Sequence, residues 1–452
     1  MAPEASTPSA GAPSNRQGVI QSLESQLAVT PRSSRPHEHA TVAYRLGLAY
    51  AESPVGTPAE NLRKALALYE VAGEVFDPRF DPVEHARVLN AAGAAQRALG
   101  DRRRAARLFE EAAGLFEGRG RDDERAAALN NLGLVRTELG ELGAAVEACD
   151  QALELFDARS AEGRRGRIAT LHSRGQAHAA MGTEEGLDAA LADFEQARSE
   201  LDPDDAPYHY GLIQHSVGVA FTSLAARRAD ERERLLREAI DAFTESLTVF
   251  TRQAFPYQHA LAKHNQGLAW AGLGGEGNLR RALACFEDAV SMLDPRLHGE
   301  GWQQAYASLS RVEEQLERSK PGMSRAAHLV ALVASVKPDE QRSLLRERLT
   351  GVLAVPDPRR RSALTELALA SAQLEPEQIQ AFIEAELGVL MELPPEGLDA
   401  ALRARLDAHR RLGPEGQEKA DRALDAAIGA ALGGPQRVHV RDFLYSVGWE
   451  RP

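Results

Sequence analysis

Three histidines in this 452-residue chain, His172, His215 and His264, recur at nearly equal intervals, and imidazoles in register invite a search for metal or acid–base chemistry. Each stands three residues before a glycine, at Gly175, Gly218 and Gly267. If the three lie on successive packed helices, neighbours are about 8 to 10 Å apart, and the outer two cannot share one ion with ligand bonds of about 2.0 Å. The stretch "GLGGEG", Gly272 to Gly277, matches the dinucleotide pattern G-x-G-x-x-G, but it follows a helical pattern instead of a strand and reads as a turn between two helices. The chain holds no G-K-[ST] loop, H-E-x-x-H, G-x-S-x-G or paired cysteine motif, and His328, His409 and His439 are scattered. Cys149 and Cys285 sit far apart in helical patterns and read as buried thiols of a protein in a reducing cytoplasm. No catalytic residue, metal ligand or cofactor site is therefore expected, and the chain reads as non-enzymatic.

The elements that carry these histidines form a repeat. Gly47, Gly93, Gly133, Gly175, Gly218 and Gly267 follow one another at 40 to 49 residues, and a fixed period of that size marks an array. A helix-interior glycine costs about 1 kcal/mol relative to alanine, so its return implies a backbone that a neighbour must approach closely. After each glycine comes a second helix with a small, aromatic, small series, for example Ala65, Tyr69, Ala72 and Ala190, Phe194, Ala197; in the third unit the middle place is Cys149. Offsets of four and three put these residues on one face. One ring then fills the space that two small residues leave open, with the glycine and the first alanine expected as the points of closest approach. The first, fifth and sixth units are expected to widen the loop between their helices.

On these residues the chain resembles the tetratricopeptide repeat family over roughly 37 to 318, and "PYQHALAKHNQGLAWAGLGGEGNLRRALACFEDAVSMLDP" is similar to the longer repeats of kinesin light chains and of bacterial signalling-associated arrays. The resemblance implies an all-α fold: an α-solenoid, a right-handed superhelix of helix hairpins whose first helices line the concave side. Polar residues just before each glycine would then face a groove. Tyr44, Asn90, Asn130, His172, His215 and His264 stand three before it, while Asn131 and Asn265 stand two before it. Asn and His both donate and accept, which suits the backbone of an extended peptide.

"GWQQAYASLSRVEEQLERS", 301 to 319, reads as a capping helix. Beyond it the glycine signature stops, and prolines at 321, 338, 358, 376, 395 and 414 set a new rhythm, mostly followed by an acid. Proline suits the first helical turn and acids suit its positive end, so each marks the start of a helix in a second helical bundle or solenoid. Residues 436 to 452 form an aromatic tail with Phe443, Tyr445 and Trp449, either covering the end of that region or docking a partner.

The expected division is a disordered leader rich in Ala, Pro, Ser and Gly over 1–18, a flanking segment over 19–36, six repeats with their cap over 37–319, a helical region over 320–435 and the tail. A net charge of −13 argues against nucleic acid and anionic membranes, and no window is apolar enough to span a bilayer. Arginine-rich composition suggests a bacterial origin. The expected role is a cytoplasmic scaffold, adaptor or regulatory subunit that holds a protein or peptide ligand; the alternatives are a peptide-sensing regulator acting through a partner, or an effector or enzyme in the C-terminal region.

Overall fold

The computed structural model describes residues 13–319, 323–355, 357 and 359–449. Every regular element among them is an α-helix, and the chain divides into two compact units, Met1–Val249 and Phe250–Pro452. The first unit opens with α1 (Pro13–Val29) and continues as five hairpins: α2 (Pro36–Ala51) with α3 (Pro58–Gly73), α4 (Pro82–Ala98) with α5 (Arg102–Phe116), α6 (Asp122–Leu139) with α7 (Leu142–Leu155), α8 (Ala161–Ala180) with α9 (Glu184–Glu200), and α10 (Pro207–Ala225) with α11 (Arg232–Val249). The start of α1 falls inside the stretch expected as a leader; residues 1–12 of that stretch lie outside the described residues. Its Ile20 and Leu23 pack on Val42 and Leu46 of α2.

Helix starts follow local chemistry. Proline occupies the first position of α2, α4 and α10, where its missing N–H costs nothing. The side chains of Asp101, Ser160 and Thr183 accept from backbone N–H groups of Arg104, Gly163 and Gly186 at 3.1, 2.8 and 3.0 Å, closing the first turns of α5, α8 and α9.

The six glycines are where the paired helices meet. A Cβ built on Gly93 or Gly267 would lie 2.7 Å from the ring of Phe109 or Phe286, and Gly47, Gly175 and Gly218 face Tyr69, Phe194 and Phe243 in the same way. A side chain at any of these five glycines would thus meet the edge of the ring. In the third hairpin the thiol of Cys149 stands at 2.5 Å from that position and the Ala145 carbonyl oxygen at 3.2 Å. The flanking alanines, among them Ala65, Ala105 and Ala190, are fully enclosed. Where serine replaces the last alanine, at Ser246, its hydroxyl donates to the Gly211 carbonyl at 2.8 Å, so the buried polar group is satisfied.

The second unit begins with the sixth hairpin, α12 (Pro256–Leu273) and α13 (Glu276–Met292), followed by α14 (Gly299–Ser319). Its loop is not widened: Gly274 and Gly275 alone join the two helices, both with φ near +70 to +80°, a region costly for side-chain-bearing residues. This is the turn in "GLGGEG", and it accounts for those glycines without a phosphate. Seven further helices follow: α15 (Arg325–Ser335), α16 (Pro338–Leu353), α17 (Arg359–Ser371), α18 (Pro376–Leu390), α19 (Pro395–His409), α20 (Pro414–Ala431) and α21 (Gly434–Ser446). Pro338, Pro376, Pro395 and Pro414 each open a helix as expected; Pro321 and Pro358 lie outside the described residues.

Within this region helices pack chiefly on the next but one, α16 on α18, α18 on α20, α15 on α17 and α17 on α19. They share one apolar core that includes Leu345, Leu349, Phe382, Ile383, Leu402 and Ile428. The aromatic tail is largely helix α21. Trp449 is buried in the same core, with its indole N–H donating to Asp421 at 2.9 Å and its ring on His409, whereas Tyr445 is exposed.

Candidate functional site

The first helices of the hairpins bring the polar column together, and they do so by pairing one repeat with the next. The residue three before the glycine reaches the residue two before the following glycine. Asn131 Nδ2 donates to Asn90 Oδ1 at 3.1 Å, and His172 Nε2 shares a hydrogen bond of 2.9 Å with the Ser216 hydroxyl. In the second unit His264 Nε2 meets the Ser308 hydroxyl at 3.1 Å, so α14 fills the place of a further first helix although it lacks the glycine. The rung between Asn130 and Ser173 is not formed. The Ser173 hydroxyl donates instead to the Ala169 carbonyl of its own helix at 2.9 Å, and Asn130 Oδ1 is left buried without a hydrogen-bond partner.

The imidazoles also pack inward. The rings of His172, His215 and His264 lie 5.6, 5.6 and 5.5 Å from those of Phe194, Phe243 and Phe286, and Tyr44 takes the same place on Tyr69 at 6.0 Å. Burial pushes His172 and His215 down to about 4, with the charges of His209 and His215 adding to the effect at His172; burial lowers His264 as well. Neutral imidazoles wedged between repeats are structural joints. His172 is only 7% exposed and its Nε2 is engaged, so of the expected ladder it is closed to a ligand. Asn90, Asn130, Asn131, His264, Asn265, His215 and Tyr44 remain half-buried.

A second histidine column escaped the sequence reading. Eight residues before the glycine, His39, His85 and His259 direct Nδ1 to the carbonyls of Thr30, Phe76 and Phe250 at 2.7, 2.6 and 2.8 Å, tying each first helix to the end of the preceding helical segment. Arg167 does the same to Leu153 at 3.2 Å. The alignment on glycine contained this signal; the side chains point to chain ends, which no motif advertises. Another unforeseen group is Asp193, buried in α9 and held by Arg174 and by His178 Nδ1 at 2.9 Å.

The second unit assembles a charged cluster from distant positions. His259 Nε2 lies 2.7 Å from Asp288 Oδ2, Lys263 Nζ lies 2.6 Å from Glu347 Oε1, and Arg252 pairs with Asp288. Burial alone would raise Asp288, but the hydrogen bond to His259 and the charge of Arg252 hold it well below the usual carboxylate range. His259, Asp288 and Glu347 offer donor atoms within 4.8 Å of one another, a spacing a metal could use. Lys263 and Arg252 already neutralise the two carboxylates, and a dication would have to displace both cations, so the donor set fits an internal ion network better than a metal.

No protein-family model and no curated protein matches the sequence. Among solved structures, the chain is similar to the TPR domain of P58(IPK), with 14% identity, coverage of 91% of this chain and 99% of that one, and a TM-score of 0.25. It is also similar to a circular tandem repeat protein with novel repeat topology and enhanced subunit contact surfaces, with 14% identity, coverage of 97% and 99%, and a TM-score of 0.28. The glycine-to-ring hairpins described above make an all-α array of repeated helix pairs, and that description rests on the geometry of this chain.

Proposed function

We propose that this chain is a non-catalytic scaffold or regulatory subunit that captures a protein or peptide segment along the face formed by the first helices. The observation that carries the reading is Asn130. Its carbonyl oxygen sits on the polar column with no partner, enclosed between rungs whose members are already paired, and a rotation of this half-buried side chain would present it to the N–H of an extended peptide. Asn90 and Asn131 would line the same face of the first unit, and His264 and Asn265 stand at the equivalent positions of the second. Tandem hairpins suit this task because stacking them produces a continuous binding surface without a central core. No helix among the described residues is long and apolar enough to cross a membrane, which fits a partner met in solution.

Affinity purification from the native cell supplies the partner, and calorimetric titration then tests the face. Asn130→Ala combined with Asn131→Ala is expected to weaken capture by about 1 to 3 kcal/mol, roughly a five- to 150-fold loss, with the helical spectrum unchanged. Wild-type affinity in this double variant would reject the face as the binding site, and loss of binding on deleting 436–452 alone would move it to the aromatic tail.

A further inference from the structure

The second unit contains a cavity of about 230 Å³ walled by α13, α15, α16 and α17, adjoining a second of about 310 Å³ that shares Glu287, Arg348 and Val352 with it. Its apolar wall is made by Leu329, Leu344, Val352 and Ala363. Asp288 accepts from Arg252 and lies against His259, Glu347 pairs with Lys263, and Glu287 accepts from Arg348 at 3.1 Å, so each wall carboxylate already has a cationic partner. The surplus is all on the donor side. Arg252 Nε is buried with no acceptor, and Arg359, at the exposed edge, has no hydrogen-bond or ion-pair partner among the described residues.

A wall whose carboxylates are all paired, and which still holds an open N–H on Arg252 and the whole guanidinium of Arg359, calls for a ligand that brings the acceptor. Guanidinium groups match a carboxylate in shape and charge, and the rest of the wall asks for hydrocarbon. The geometry points to this cavity as a binding site for a small organic carboxylate with an apolar arm, its head between Arg252 and Arg359 and its arm along Leu329, Leu344, Val352 and Ala363. Such a ligand would bridge α13 of the sixth hairpin to α16 and α17. The site is independent of the first-helix face, so each can fail alone.

Titration calorimetry on the full chain with octanoate tests it, with octylamine and octanol as matched controls. Octanoate is expected to bind and the two controls to bind at least about tenfold more weakly, the scale of one charge-assisted contact. Arg359→Gln, which breaks no internal pair, is expected to cost octanoate about tenfold. Ala363→Phe fills the cavity and is expected to abolish binding; should circular dichroism show that variant unfolded, Val355→Glu, at a half-exposed position on the same wall, replaces it and sets a like charge against the ligand head. Absence of octanoate binding, equal binding of octylamine or octanol, or an affinity unmoved by both Arg359→Gln and Val355→Glu overturns the assignment.

Discussion

The hairpins and the C-terminal helices solve the same problem, burying one face of a short helix, by opposite means. In each hairpin consecutive helices are drawn together at a glycine, and one side chain, a ring in five of the six and Cys149 in the third, fills the contact between small residues. From α15 to α20 each helix packs mainly on the next but one, through leucine, isoleucine and phenylalanine, and α16, α18, α19 and α20 each start on a proline. Close backbone contact makes the hairpins intolerant of any added atom, whereas side-chain packing makes the later helices sensitive to removed ones. Glycine is therefore architectural at every hairpin contact, whereas the later helices mix tight glycines such as Gly397, against Leu353, with open ones such as Gly429.

That contrast breaks most decisively at Gly133. Its Cβ position is already taken by the Cys149 thiol and the Ala145 carbonyl, so Gly133→Arg is expected to cost about 5 kcal/mol or more. Thermal melting followed by circular dichroism checks this against Glu141→Gln, an exposed control expected to stay within about 0.5 kcal/mol. The mirror experiment in the later helices removes atoms: Phe382→Ala, from a fully buried ring, is expected to cost about 3 to 5 kcal/mol of the C-terminal core. Hydrogen exchange should place that loss in α15 to α21; a uniform loss of protection across α2 to α11 would show that the two packing schemes melt as one.

Acid should separate the regions next. His172 and His215 titrate near 6.5 when exposed and near 4 when buried in the repeats. The unfolded chain then binds protons that the folded one refuses. Stability from these joints is complete above pH 6.5 and drains as pH falls from 6.5 to 4, by roughly 2 to 3 kcal/mol per histidine at the low end. Melting temperature measured across that window should fall for the wild type and fall less steeply for His172→Asn; identical slopes would remove the histidines from the account. The smallest effect has the opposite sign. Gly429 is exposed on α20 with nothing near its Cβ position, so Gly429→Ala should stabilise the chain by about 1 kcal/mol, where the same change at Gly218, against the Phe243 ring, should destabilise it. Two denaturant titrations decide the comparison.

Residue type and spacing were enough to establish the helical hairpins, the glycines at their contacts and the proline-started helices, because these are local consequences of backbone sterics and a 3.6-residue period. The polar column was legible as a column, since it is in phase with the glycines. Its occupation was not: whether Asn131 meets Asn90, or Ser173 turns back to Ala169, depends on the rotation of one hairpin against the next, which no single repeat encodes. The same holds for Arg252, His259, Lys263, Asp288 and Glu347, spread over nearly a hundred residues and without any common spacing. Periodicity reports which face a side chain occupies on its own helix. Which partner stands opposite, and hence whether a buried charge is neutralised or left with an open donor, is set only when the helices pack.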